Sequence, residues 1–138
     1  MSWDITIQDI PQGIQAIDEI PDDFQPKPLG PRRDLITRIH QIFPDADFSD
    51  PSWGLLDRPR FSIEFSMGTA EICDSFALHV RGGGDAVARV AQLLNHLGLR
   101  GIDLQVPDFF SVEAAEGSFR EWQAYRDRSS PPNSSNTV

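Results

Sequence analysis

Asp74-Ser75-Phe76-Ala77-Leu78-His79-Val80-Arg81-Gly82-Gly83-Gly84 runs directly into Asp85-Ala86-Val87-Ala88-Arg89-Val90-Ala91-Gln92-Leu93-Leu94-Asn95-His96-Leu97-Gly98. Phe76, Leu78 and Val80 recur every second residue, whereas Val87, Val90, Ala91, Leu94 and Leu97 recur at helical spacing. Three glycines stand where the period changes. The stretch therefore predicts a strand over 75–81, a sharp turn, and a helix that Gly98 closes as a left-handed C′ residue.

Other segments repeat the same two periods. Trp3, Ile5 and Ile7 alternate with Asp4, Thr6 and Gln8, and Phe61, Ile63, Phe65 and Met67 alternate with Ser62, Glu64 and Ser66, which predicts two more half-buried strands. Leu35, Ile36, Ile39, Ile42 and Phe43 line one helical face between Pro31, suited to a first helical turn, and Pro44, which ends the helix. Ile102, Leu104 and Val106 alternate with Asp103 and Gln105 and read as a last strand, closed by Pro107.

The order strand, helix, strand, strand, helix, strand predicts an α+β, ferredoxin-like βαββαβ sandwich, an antiparallel sheet with two helices on one face. Residues 3–8 and 75–81 become its central strands. Both helices then cover Trp3, Ile5, Ile7, Phe76, Leu78 and Val80, leaving the other face open.

The chain of 138 residues has the length of one domain. Residues 1–128 are expected to form it. Within them a long proline-broken connection, 11–30, acts as a covering loop with a helical turn over Gln12–Glu19, and an acidic loop spans 44–57. In the latter, Trp53-Gly54-Leu55-Leu56 is a candidate edge strand. Phe109 and Phe110 are expected to dock on the domain. Ser118-Phe119-Arg120-Glu121 is a capping-box pattern that starts a short C-terminal helix carrying Phe119, Trp122 and Tyr125. Residues 129–138 carry no charge and almost no apolar surface, the composition of a disordered tail.

Charge narrows the partners. Twelve basic against twenty-one acidic residues give a formal net charge of −9, which repels nucleic acid and anionic membrane at long range. The excess is local: residues 1–30 hold Asp4, Asp9, Asp18, Glu19, Asp22 and Asp23 against Lys27, and residues 44–57 hold Asp45, Asp47, Asp50 and Asp57 with no base. Elsewhere eleven acids balance eleven arginines. One cysteine, Cys73, excludes an internal disulfide and the common thiolate-rich zinc sites and fits a reducing cytoplasm. No run of about 18 apolar residues exists to span a bilayer, and the N-terminal alternation is not that of a secretory leader.

Residue chemistry separates the candidate sites. Arg81-Gly82-Gly83-Gly84-Asp85 matches neither phosphate-binding fingerprint, and Asp85, expected at the helix cap, repels an anion there, so the glycines read as a structural turn. Arg81 is expected to pair with the acidic loop. Asp45-Ala46-Asp47-Phe48-Ser49 begins like a calcium loop, yet Asp50 stands where glycine is needed and Leu56 where the bidentate glutamate belongs, so no metal or cofactor is expected. His40 and His96 suit helix surfaces. Cys73 has no thiolate-stabilising neighbour and reads as a small hydrophobe. The open face lacks the aromatics on which RNA-binding domains of this topology stack bases.

Two function classes follow. Concentrated carboxylates without a recognisable catalytic set point to a non-enzymatic interaction domain that presents Asp18, Glu19, Asp22, Asp23, Asp45, Asp47 and Asp50, with Trp53, to a basic partner, as bacterial immunity proteins do against nuclease toxins. The alternative is a small enzyme or ligand-binding domain using Glu64, His79 and Arg81 on the open face, since a histidine beside a carboxylate can serve as general base. In that case a homodimer that buries the face is one arrangement. At Trp3-Asp4-Ile5, Gln8-Asp9, Ile20-Pro21-Asp22-Asp23-Phe24, Phe43-Pro44-Asp45-Ala46-Asp47-Phe48-Ser49-Asp50-Pro51-Ser52-Trp53-Gly54 and His79-Val80-Arg81-Gly82-Gly83 the chain resembles a group of small uncharacterised bacterial proteins. That resemblance covers most of residues 1–106. It implies a bacterial, cytoplasmic protein and brings no activity, cofactor or catalytic residue with it.

Overall fold

In the computed structural model, which describes residues 3–11, 13–14, 16–82, 85–103 and 108–110, the chain forms β1 (Trp3–Gln8), β2 (Gly30–Pro31), α1 (Arg32–Ile42), β3 (Asp47–Asp50), β4 (Trp53–Arg58), β5 (Phe61–Ser66), β6 (Ile72–Cys73), β7 (Phe76–Gly82), α2 (Asp85–Leu97), β8 (Arg100–Asp103) and β9 (Asp108–Phe109). The main sheet has the strand order β3-β4-β5-β7-β1-β8-β9, and each pair in it is antiparallel. At its centre Trp3 lies opposite Val80, Ile5 opposite Leu78 and Ile7 opposite Phe76. Because alternate residues share a face, this register stacks the apolar set of β1 on that of β7. Ile63 and Phe65 of β5 extend the same surface, and all these side chains are buried.

The two helices cover that surface. Leu35 and Ile39 of α1 are buried with Phe43, while Ile36 and Ile42 lie partly buried at the edge. Pro31 is still extended and belongs to β2, so the helix begins one residue after it. In α2 the expected Val87, Val90, Leu94 and Leu97 are buried, joined by Ala86 and Leu93, whereas Ala91 is half-buried. Asp85 is the first residue of α2 rather than its cap, where its charge still complements the positive helix end. Behind Leu97, Gly98 donates to the Asn95 carbonyl at 3.3 Å and Leu99 to the Leu94 carbonyl at 3.2 Å, the paired bonds of a Schellman stop.

The architecture is thus α+β, an antiparallel sheet with two helices, but the strand order is not a clean βαββαβ pattern. Residues 44–57 are mostly not a loop: β3 and β4 form a hairpin that widens the sheet beyond β5. The expected edge strand at Trp53 is real, and β3 lies outside it. A second departure is β8. Ile102 faces Thr6 on the open side, while Gly101 and Asp103 are buried opposite Ile7 and Ile5. The apolar Ile102 is therefore on the face away from the helices. Gly101 fits because a Cβ there would fall 2.9 Å from Ile5 Cγ2, and Asp103 is accommodated with Trp3 Nε1–H donating to its Oδ1 at 2.9 Å. Leu104 and Val106, the helix expected at 118–125 and the tail expected at 129–138 lie outside the described residues.

The 11–30 connection is tied down rather than loose. Arg100 donates to the carbonyls of Pro11 (3.0 Å) and Ile14 and stacks its guanidinium 3.7 Å from the Phe109 ring centroid. Its regular piece is one 3₁₀ turn, Ile17–Glu19, so the expected turn is shorter than 12–19; Gln12 and Gln15 lie outside the described residues. Leu29 and Arg32 then donate to the carbonyls of Cys73 and Glu71, which anchors the start of α1 to β6. Phe109 is buried, and Phe110 packs partly buried beside Trp3 with ring centroids 6.1 Å apart.

Gly82 sits at φ +107, and a Cβ there would fall 2.5 Å from the Arg60 carbonyl oxygen and 2.6 Å from Phe61 Cα. Both contacts are backbone, so no rotamer change relieves them. Gly82→Ala is expected to destabilise the fold by about 2 kcal/mol or more, read as a lower urea midpoint with an unchanged slope. An unaltered midpoint would remove the strain argument.

Candidate interaction face

The register that buries one side of the sheet also composes the other. Across five strands Asp47, Leu55, Glu64, His79 and Asp4 stand in one row. A neighbouring row holds Asp50, Trp53, Ser66, Ala77, Thr6 and Ile102, and Asp57, Ser62 and Arg81 line up on the other side. Trp53 and Leu55 are 42% and 40% exposed, side by side on β4. The small Ser66 beside Trp53 leaves room for the indole to reach over β5. It stacks on the His79 imidazole at 5.6 Å between centroids and 19° between planes.

Glu64, His79 and Arg81 are brought together, but they do not pair as a catalytic set would. Arg81 donates to Glu64 Oε1. His79 Nδ1 lies 2.8 Å from Asp4 Oδ1, and an ionised carboxylate requires the proton on that nitrogen. Among the described residues no hydroxyl or thiol is hydrogen-bonded to the His79 ring. Asp4 as the partner of His79, and Leu55 and Asp57 as neighbours on this face, were missed from sequence. The signal existed only in the strand register, which opposes residue 4 to residue 79.

The acidic residues divide into three settings. Asp45 is held by Arg58, with Nε to Oδ2 at 3.2 Å and Nη2 to Oδ1 at 3.0 Å, and that guanidinium lowers its pKa. Arg58, which also lies 5.4 Å from the Phe43 ring centroid, has therefore taken the role expected of Arg81. Asp47 accepts from Ser49 N at 2.8 Å and Ser49 Oγ at 2.5 Å, and Asp50 accepts from Ser52 N at 2.9 Å and Ser52 Oγ at 2.7 Å. These bonds hold both carboxyls below their ordinary value, first through the hydroxyl and then through the backbone amide. Both remain exposed at the border of the open face. Asp18, Glu19, Asp22 and Asp23 are exposed on the 11–30 connection. The acids are thus a fixed border along β3 and a separate stretch on that connection, with Asp45 already occupied.

The remaining candidates serve the fold. His40 Nε2 donates to the Ala46 carbonyl at 2.8 Å, and His96 Nε2 lies 2.9 Å from Gln41 Oε1. Cys73 is buried, its thiol 3.6 Å from the Met67 carbonyl, and burial pushes its pKa up, away from a reactive thiolate. Among the described residues no three His, Cys, Asp or Glu side chains group to hold a metal, and no helix is long and apolar enough to cross a membrane. In comparisons with known proteins the chain matches no family model, no curated protein and no solved structure.

The lowered carboxyls set a pH dependence. A carboxyl whose pKa is lowered on folding contributes stability above its unfolded value, near 3.8, and loses it as pH falls through the folded value. Side-chain carboxyl shifts followed by NMR are expected to titrate below 3.8 for Asp45, Asp47 and Asp50. Ser49→Ala should raise the Asp47 midpoint and leave that of Asp50 in place.

Proposed function

We propose that this is a protein-binding domain that uses the β4 side of its open sheet face to engage a basic partner, in the manner of a bacterial immunity protein facing a cationic toxin. The observation that carries the reading is the exposed pair Trp53 and Leu55, set in rows with Asp47, Asp50, Asp57 and Glu64. A large aromatic with an aliphatic neighbour is the kind of anchor on which binding energy concentrates. A lysine or arginine of the partner can lay its methylenes on the indole and its charge among the carboxylates. The bound serines hold Asp47 and Asp50 in place, so less side-chain freedom is lost on association. Asp18, Glu19, Asp22 and Asp23 add long-range attraction, which governs the rate of encounter more than the lifetime of the complex. The same reading treats the four strands β8-β1-β7-β5 as a ferredoxin-like core to which β3, β4 and β9 are added.

A second reading has one observation in its favour. Asp4 fixes His79 Nδ1–H, which directs Nε2 away as a proton acceptor. With Glu64 and Arg81 beside it, the face would then bind or transform a small molecule, as a monomer or across a homodimer.

The test is a partner captured from a bacterial host at low salt and then measured in purified form. Trp53→Ala is expected to weaken binding about 30-fold or more, the equivalent of a 2 kcal/mol hot spot. Asp47→Asn with Asp57→Asn should slow association and flatten its salt dependence. Unchanged affinity in Trp53→Ala would overturn the proposal, and a metabolite-induced rise in stability that His79→Ala abolishes would favour the second reading.

A further inference from the structure

A separate cleft of about 470 Å³ opens on the helix side of the sheet, between the first turns of α1, β3 and the turn that follows β5. Its volume lies within the roughly 300–1,000 Å³ of small-molecule sites. The floor is apolar, made by Ile36, Phe48 and Pro51. Phe48 is held there from three directions. It meets His40 edge-on (5.5 Å, 86°), packs 5.4 Å from Phe65, and lies over Gly54, where any Cβ would come within 2.3 Å of its ring. The ring thus has a fixed seat and does not collapse into the opening.

Arg32 and Arg33 both line the cleft. Arg32 Nη1 donates to the Gly68 carbonyl at 2.7 Å, which uses one of its five donors, and its charge also acts on Asp50. Arg33 is exposed, and among the described residues its side chain has no hydrogen-bond or ion-pair partner. Both bases open a helix, at the end where positive charge is unfavourable. Glu71 is the acid on the rim.

We infer that this cleft binds a small amphipathic monocarboxylate, with its carboxylate on Arg33 and an aromatic or branched apolar body on Phe48, Ile36 and Pro51. One unengaged guanidinium matches one carboxylate in a two-pronged, charge-assisted pair. Glu71 opposes a dianion such as a phosphate group, and the apolar floor gains nothing from a free inorganic ion. The site is distinct from the open face, since Phe48 and Asp47 are consecutive and point to opposite sides of β3.

The full chain, labelled with ¹⁵N, would be titrated with 4-phenylbutyrate, its neutral amide 4-phenylbutyramide, and inorganic phosphate. Saturable amide shifts are expected with 4-phenylbutyrate alone, within 33–40, 48–51 and 68–71, and the neutral amide should bind at least tenfold more weakly. Arg33→Gln, at an exposed position, should not lower the urea midpoint and should weaken 4-phenylbutyrate at least tenfold. No saturable shift, equal binding of acid and amide, shifts elsewhere on the protein, or full affinity in Arg33→Gln would each overturn the inference.

Discussion

The antiparallel register of β1 on β7, with Trp3 against Val80 and Ile7 against Phe76, is the constraint on which the molecule rests. It joins residues more than 65 positions apart in the chain, so loop-closure entropy opposes it until the apolar surface beneath is buried. Trp3, Ile5, Ile7, Leu78 and Val80 are each fully buried, and burial of such side chains contributes about 1.5–3 kcal/mol each. A slip of β1 by one residue would turn Trp3, Ile5 and Ile7 outward and carry Asp4 and Thr6 into the core. Core and open face are therefore not independent. The same five pairs decide both.

This explains which parts were legible in the sequence. Strands β1, β5 and β7 and helices α1 and α2 each repeat an apolar residue at the period of their structure, and burial follows that period. β3 has no such repeat, since Phe48 is its one apolar residue, and β4 is interrupted by Gly54, which is inward because Phe48 needs the space. β8 misleads in the opposite way. Its one conspicuous apolar residue, Ile102, is on the open face, and the inward carboxylate of Asp103 is stable because an indole N–H from β1 meets it. Hydrophobic periodicity cannot anticipate a polar group whose partner is 100 residues away.

The site was legible in part for the same reason. His79, Arg81 and Glu64 are recognisable as outward residues of strongly alternating strands, so their common face follows from the sequence. Their pairing does not follow. Whether Glu64 takes Arg81 or His79 depends on side-chain reach across neighbouring strands, and Asp4 competes for the imidazole from the other side. Trp53 carries a signal as an aromatic among acids. Its place beside His79 required β4 to be a strand, not a loop.

The hairpin formed by β3 and β4 gives the protein two surfaces from one element. Toward the helices it presents Phe48, seated on Gly54 and facing the cleft beside α1; toward the open side it presents Asp47, Trp53 and Leu55. Asp47 and Asp50 bond to the amides and hydroxyls two residues on, which stiffens the bulged strand and its turn from within. A hairpin at a sheet edge needs such restraint, because an edge strand has free backbone groups along one side and invites pairing with other chains. Exposed carboxylates along β3 discourage that pairing by repulsion between copies. The acidic border thus has a reason in the fold itself, at the sheet edge that β3 forms, before any partner is considered.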